Sequence, residues 1–94
     1  MNNINQFILK VCTVSSDDWF WLYINGEFTG YEGHGLEPCD FAKAINEYID
    51  KRSNGFHLAY ITGIDYKEYY INQEYAEDYG CPQLFGDIPE DMFL

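Results

Sequence analysis

The sequence has few basic residues. Five lysines and arginines stand against sixteen aspartates and glutamates among 94 residues, which gives a formal net charge of −11. Binding to nucleic acid depends on Lys and Arg that displace counterions from phosphates, and anionic membrane surfaces attract the same residues. The composition therefore argues against direct contact with either. It favours a basic partner and salt-dependent encounter, although the same charge also serves solubility alone.

Long apolar runs, a secretory signal and paired cysteines are lacking too. No run approaches the roughly 20 residues needed to span a bilayer, and residues 1–14 have neither a basic stretch nor a small-residue cleavage site. Cys12, Cys39 and Cys81 are odd in number and widely spaced, which argues against a disulfide framework. These features predict a cytoplasmic protein, and the length predicts one domain over residues 1–94.

What the sequence does contain is apolar and aromatic, at 47% and 19% of residues, which is typical of a folded chain. QFILKVCTV at 6–14 predicts a strand. WFWLYI and EFTGYE flank Asn25-Gly26, the pair typical of a type I′ turn, so residues 19–32 are predicted to form a β-hairpin. WFWLYI is apolar at every position, so both of its faces need cover.

Helical patterns follow the hairpin. An apolar stripe with spacings of three and four predicts one main helix over 38–52. FHLAYITGI predicts a strand at 56–64, whereas residues 65–71 fit either a strand or a helix. Asn72 and Gly80 bound a short helix as cap and terminator, and a last turn is predicted at 88–93. The expected fold is α+β, with a small antiparallel sheet, the main helix packed on it and a short C-terminal helix.

Motifs for metal or catalysis are weak. The chain has no C-x-x-C or H-x-x-x-H pair and no EF-hand spacing, so neither a metal nor a cofactor is predicted. Cys39, in the first turn of the main helix, could act as a nucleophile with His34 as its base. Glu32 and His34 could also serve as an acid–base pair. A small hydrophobic cysteine and a surface histidine explain the same residues, so the chain is not predicted to be an enzyme.

Acids and tyrosines concentrate in the C-terminal half. Residues 60–79 contain six tyrosines, and residues 64–94 contain eight acids against one lysine. Tyrosine offers contact area at low entropic cost, and carboxylates pair with arginine and lysine. Either these residues form a surface for a basic protein, or the tyrosines belong to the core and the acids to a solvated rim. The predicted binding residues are Tyr69, Tyr70, Glu74, Glu77, Asp78, Asp87, Glu90 and Asp91.

The pattern WFWLYINGEF…EGH at 19–34 resembles small uncharacterised bacterial and phage proteins that share a W-x-x-L-Y-x-N-G hairpin ending in E-G-H. INQEYAEDYGCP at 71–82 extends this likeness in a looser form. That family has no established activity, so the resemblance implies no catalytic residues. In profile alone, the chain is similar to small acidic phage inhibitors of the anti-CRISPR and anti-restriction type. That similarity implies a nucleic-acid mimic, because some of those inhibitors present carboxylates where the target expects phosphates.

Three functional hypotheses follow. The first is a binding protein that engages a basic protein surface, in its sharpest form a phage-encoded inhibitor that occupies the channel of a nuclease or another nucleic-acid enzyme. The second is a regulatory or structural module that forms a homodimer through Trp19, Trp21 and Tyr23. The third is a small enzyme that uses Cys39 or the pair Glu32 and His34.

Overall fold

A four-stranded sheet lies at the centre of the protein, between a helix on one face and the C-terminal segment on the other. The computed structural model describes residues 7–53 and 61–94. The strands are β1 (Phe7–Ser16), β2 (Trp19–Ile24), β3 (Glu27–Gly33) and β4 (Ile61–Tyr70). The helices are α1 (Pro38–Ser53) and α2 (Gln73–Tyr79), followed by two 3-10 helices, Phe85–Asp87 and Glu90–Met92. Within the described ranges, no helix is long and apolar enough to cross a membrane.

The strand order is β3-β2-β1-β4. β1 pairs antiparallel with β2, and β2 with β3, as two successive hairpins dictate. β4, in contrast, runs parallel to β1. The strands and helices confirm the α+β class. The expectation of an antiparallel sheet is wrong for β1 and β4, which pair in parallel. α1 lies in the connection between β3 and β4, and it allows the chain to return to the same end of the sheet, which a tight turn cannot do.

One face of the sheet packs against α1. Leu9, Val11, Leu22 and Ile24 alternate along β1 and β2 and meet Ala44 in one buried cluster. Partly buried residues of β3, of α1 and of the segment between them complete the packing; they are Tyr31, Leu36, Phe41, Ile45 and Tyr48. The apolar stripe predicted from the sequence therefore points into this core, and the helix runs one residue beyond its predicted end.

The other face packs against residues 71–94, the C-terminal segment. Val14, Trp21 and Tyr23 form a second buried cluster with Ile71, Ala76 and Ile88 of that segment. The Tyr23 hydroxyl donates to the Pro82 carbonyl. β2 is thus covered on both faces within a single chain, so the reason for expecting self-association through Trp19, Trp21 and Tyr23 does not hold. Tyr23 is fully buried, Trp21 is 8% exposed and Trp19 is half-buried.

Two tight turns place backbone in the left-handed region. Asn25 and Gly26 have φ values of 49° and 82°, as a type I′ hairpin requires. Asp17, in the turn between β1 and β2, has a φ of 56°. Aspartate tolerates this region better than most residues do, because its short side chain bonds locally. The Asp17-Asp18 turn consequently holds two adjacent carboxylates at one end of the sheet.

Most of the predicted elements are confirmed. β1, the hairpin and α1 lie where the patterns placed them, and α2 has Asn72 as its N-cap and Gly80 at its end. Residues 65–70, which fitted either a strand or a helix, belong to β4. The first part of the predicted strand 56–64 lies outside the described residues. Short 3-10 helices account for the turn expected near the C-terminus.

Candidate functional site

An open cavity of about 340 Å³ lies between the β1–β2 turn, the end of the β2–β3 hairpin and α2. We call it the acidic cavity, because four carboxylates and two tryptophans line it and no lysine or arginine of the described part of the chain does. The described residues that line it are Ser16, Asp17, Asp18, Trp19, Trp21, Glu32, Gln73, Ala76 and Glu77. Residues far apart in the sequence therefore build one strongly negative, aromatic recess.

The hairpin register explains why the tryptophans meet the acids. Trp19 and Trp21 are two apart in β2, so their side chains point to the same face of the sheet. Trp21 stands opposite Glu32 of β3, and Ser16 of β1 stands opposite Trp19. Because directly paired residues share a face, Glu32 and Ser16 are placed beside the indole rings.

Hydrogen bonds and ring contacts hold the rim of the cavity. The Trp19 Nε1 donates to Glu32 Oε1 at 3.0 Å, and the His34 ring meets the Trp19 ring edge-on at 4.7 Å between centroids. His34 Nδ1 lies 3.2 Å from Asp18 Oδ2. Gln73 Nε2 donates to Glu77 Oε2 at 3.0 Å on the α2 side. These contacts fix the rim side chains and leave further carboxylate lone pairs able to accept hydrogen bonds.

Ser16 has an unusual place in the cavity wall. Ser16 as a whole is 6% exposed. Within the described chain, its hydroxyl oxygen is buried and has no hydrogen-bond partner. A buried hydroxyl left without a partner costs about 1–3 kcal/mol. Because Ser16 lines the cavity, a rotation of its side chain would bring this oxygen within reach of a ligand that donates a hydrogen bond there.

The predicted binding residues separate into several groups. Glu74, Glu77 and Asp78 lie exposed on α2, and of these Glu77 reaches the acidic cavity. Tyr69 is packed under the C-terminal segment, with its ring centroid 5.0 Å from that of Phe85, whereas Tyr70 is 55% exposed on the opposite face of β4. The strand alternation therefore places these two tyrosines on different sides of the sheet.

The second acidic group lies on the 3-10 helices. Asp87, Glu90 and Asp91 are all exposed there. The pKa of Tyr75, a residue of α2, is raised by burial, by the neighbouring Cys81 and by the charge of Asp87. Asp87 therefore lies close to α2. These acids extend the negative surface around the C-terminal segment without lining the cavity.

The residues of the enzyme hypothesis lie in two parts of the fold: Glu32 and His34 at the end of the β2–β3 hairpin, and Cys39 in α1. His34 contacts Asp18 and Trp19, and Glu32 accepts from Trp19. Cys39 is exposed in the first turn of α1. Within residues 7–53 and 61–94, no three His, Cys, Asp or Glu side chains converge closely enough to hold a metal ion. The four carboxylates of the cavity are therefore spread around it.

Burial separates the three cysteines in reactivity. It raises the pKa of the Cys12 and Cys81 thiols to about 11, so each is only about 0.1% thiolate at pH 8. Iodoacetamide at pH 8 is expected to label Cys39 at least about 100-fold faster than either. Peptide mapping by mass spectrometry measures the three rates. Equal labelling of all three would contradict the packing. A Cys39 rate well above that of a cysteine in an unstructured peptide would indicate an activated nucleophile, since exposure alone does not produce one.

Sequence reasoning found part of this cavity and missed the rest. Glu77 and the tryptophans were singled out from composition and hairpin pattern, but Ser16, Asp17, Asp18 and Gln73 were not. The signal for the turn acids was the SSDDW stretch, where two adjacent acids directly precede the alternating tryptophans. Comparisons with protein-family models, with curated proteins and with solved structures find no match to this chain.

Proposed function

We propose that this chain is a binding protein whose acidic cavity receives a basic side chain of a partner protein, arginine in preference to lysine. One observation carries the proposal: among the described residues, four carboxylates and two tryptophans line one open cavity, and no lysine or arginine lines it. Such a recess favours a cation over any neutral or anionic ligand, because each rim charge attracts it and none repels it.

The lining suits the chemistry of a guanidinium group. Its planar fork of N–H donors pairs with carboxylates, and its flat face stacks on indole rings. Trp19, which is half-buried, supplies the aromatic surface for a cation–π contact. The Ser16 hydroxyl supplies a buried acceptor that lacks a partner within the described chain. An ammonium group has less surface to stack and no planar fork, so lysine is expected to bind more weakly.

The surroundings of the cavity favour a basic protein over a single small cation. Glu74 and Asp78 lie on the same short helix as Glu77, and Asp87 lies close to that helix. The net charge of −11 attracts a partner with an extended positive surface. Proteins that bind nucleic acid carry such surfaces. In its most specific form, the proposal is an inhibitor whose carboxylates occupy the phosphate positions of a nuclease or a related enzyme.

A titration with hexa-arginine tests the proposal directly. The protein has two tryptophans and both line the cavity, so intrinsic tryptophan emission reports on this site. We expect a saturable change of emission, a several-fold weaker one with hexalysine, and roughly tenfold weaker binding when salt rises from about 50 to about 300 mM. A hexaglutamate peptide serves as the control. Unchanged emission at low salt, or equal responses to all three peptides, would refute the proposal.

A further inference from the structure

The outer edge of β4 presents unpaired backbone groups. β4 is the last strand in the sheet order, with β1 on its inner side. At its C-terminal end the outer edge is covered: Asn72 donates to the Met92 carbonyl and Leu94 donates to the Tyr70 carbonyl, whereas Ile71 donates inward to Ser15. The side to which the backbone N–H and C=O groups point alternates from one residue of a strand to the next. The groups of Ile64, Tyr66 and Glu68 therefore point outward. Within the described residues, nothing pairs with them.

The side chains along this edge are exposed as well. Ile64 is 55% exposed and Tyr66 is 43% exposed on the α1 face. Asp65 and Lys67 are exposed on the opposite face. Tyr66 leans inward, since its hydroxyl lies 3.2 Å from Thr13 Oγ1 and its ring packs against Phe41, and this leaves its outer flank uncovered. Charged side chains guard an edge strand against unspecific pairing, so a partner strand has to match the charges of Asp65, Lys67 and Glu68.

We propose that β4 pairs antiparallel with β4 of a second copy, about a two-fold axis at Tyr66. Each Tyr66 would exchange two backbone hydrogen bonds with its symmetry mate, and each Ile64 would exchange two with Glu68 of the other copy. Asp65 of each copy would then stand opposite Lys67 of the other copy, which gives two such pairs. These are pairs without backbone hydrogen bonds, in which side chains approach most closely.

The charges select this register. Moving the axis to Asp65, Lys67 or Glu68 places two like charges directly opposite each other, and moving it to Ile64 leaves Asp65 opposite Gly63 without a charged partner. Centring on Tyr66 instead gives two opposite-charge pairs and one aromatic pair. The C-terminal pairing at Tyr70 confines the shared ladder to residues 63–69. An interface of this size implies a weak dimer, with a dissociation constant on the order of 10–100 µM.

Salt dependence separates this interface from the acidic cavity, with which it shares no residue. Two copies that each carry −11 repel one another at long range, so screening is expected to strengthen the dimer. Binding of hexa-arginine to the cavity weakens under the same change. Failure of either proposal therefore leaves the other standing.

The wild-type protein provides the first test, by an NMR dilution series from about 20 µM to about 1 mM in moderate salt, bracketing the expected dissociation constant. The amide resonances of Ile64, Tyr66 and Glu68 are expected to shift with concentration. Those of Asp65 and Lys67, which point toward β1, are expected to move much less. Sedimentation equilibrium on the same samples gives the mass. A monomer throughout, or shifts confined to other surfaces, would overturn the proposal.

Charge exchange tests the register. Asp65→Lys and Lys67→Asp each place like charges across the axis, so each variant alone is expected to weaken the dimer at least about tenfold. An equimolar mixture of the two restores both opposite-charge pairs, and it is expected to recover wild-type association. Thermal unfolding of each variant shows that it folds, and the wild-type NMR series stands if one does not. Dimers that persist in the single variants, or a mixture that stays monomeric, would contradict this register.

Discussion

Neutralising Asp17 and Glu77 together is expected to weaken hexa-arginine binding about 30-fold, which corresponds to about 1 kcal/mol for each carboxylate. The two residues reach the acidic cavity from different elements, one from the β1–β2 turn and one from α2. Asp17→Asn suits the left-handed φ of 56°, because asparagine tolerates that region as aspartate does. Glu77→Gln keeps an oxygen that can accept from Gln73. The double variant therefore removes charge while preserving the local structure.

The matched control is the double variant Glu37→Gln and Asp50→Asn. Both residues are exposed, neither lines the cavity, and the net charge changes by the same amount. General electrostatic attraction to a −11 protein would weaken equally in the two variants. We expect the control to stay within about twofold of wild type at moderate salt, where charges farther away than the Debye length of about 10 Å are screened. Equal losses in the two variants would show that net charge binds the peptide and the cavity does not.

Local signals predicted the parts of the fold that local chemistry determines. Asn25-Gly26 marked the hairpin because only residues that tolerate positive φ suit its turn. Asn72 marked the start of α2 because its side chain accepts from the Tyr75 amide. The apolar stripe of α1 marked a helix with one buried face. Each of these elements needs only a few neighbouring residues to form.

The parallel pairing of β4 could not be predicted in the same way. It depends on where the chain re-enters the sheet after α1, and ITGIDYKEYY alternates too irregularly to reveal its neighbour. The acidic cavity likewise depends on parts of the chain that are far apart in the sequence. Its carboxylates come from a turn, a strand and a helix, and Glu77 reaches the Asp17-Asp18 turn only because the C-terminal segment folds back over the sheet. Composition indicated an acidic binding surface but gave no means to place it.

The fold also predicts that stability falls steeply in alkali. Burial raises the pKa of Cys12 and Cys81 to about 11, from an ordinary value near 9. Burial, and then the adjacent Cys81, raises the pKa of Tyr23 far above its ordinary value. All three groups are neutral when protonated, and the folded state favours that form. Their contribution to the free energy of unfolding is therefore fully present below pH 9, and it is lost as pH rises through the pKa values of the folded state.

The expected loss is about 3 kcal/mol in the free energy of unfolding between pH 8.5 and pH 11, with about 1 kcal/mol from each group after partial exposure is taken into account. Urea unfolding at a series of pH values measures it. The double variant Cys12→Ala and Cys81→Ala is expected to flatten the curve between pH 9 and pH 10. Tyr23→Phe is expected to flatten it above pH 10, and also to cost about 1 kcal/mol at neutral pH because the bond to the Pro82 carbonyl is lost.

Cys39→Ala is the matched control for the thiols, since Cys39 is exposed and its removal leaves both buried clusters intact. Its stability curve is expected to follow that of the wild type at every pH. General repulsion also grows in alkali, because exposed lysines and tyrosines lose protons and the net negative charge rises, but it grows equally in the control and in the wild type. A difference between the buried and the exposed cysteine variants therefore isolates the thiols under the C-terminal segment. If the curves of all the variants coincide, that segment is not packed against Cys12 and Tyr23 in solution, and α2 does not hold Glu77 at the acidic cavity.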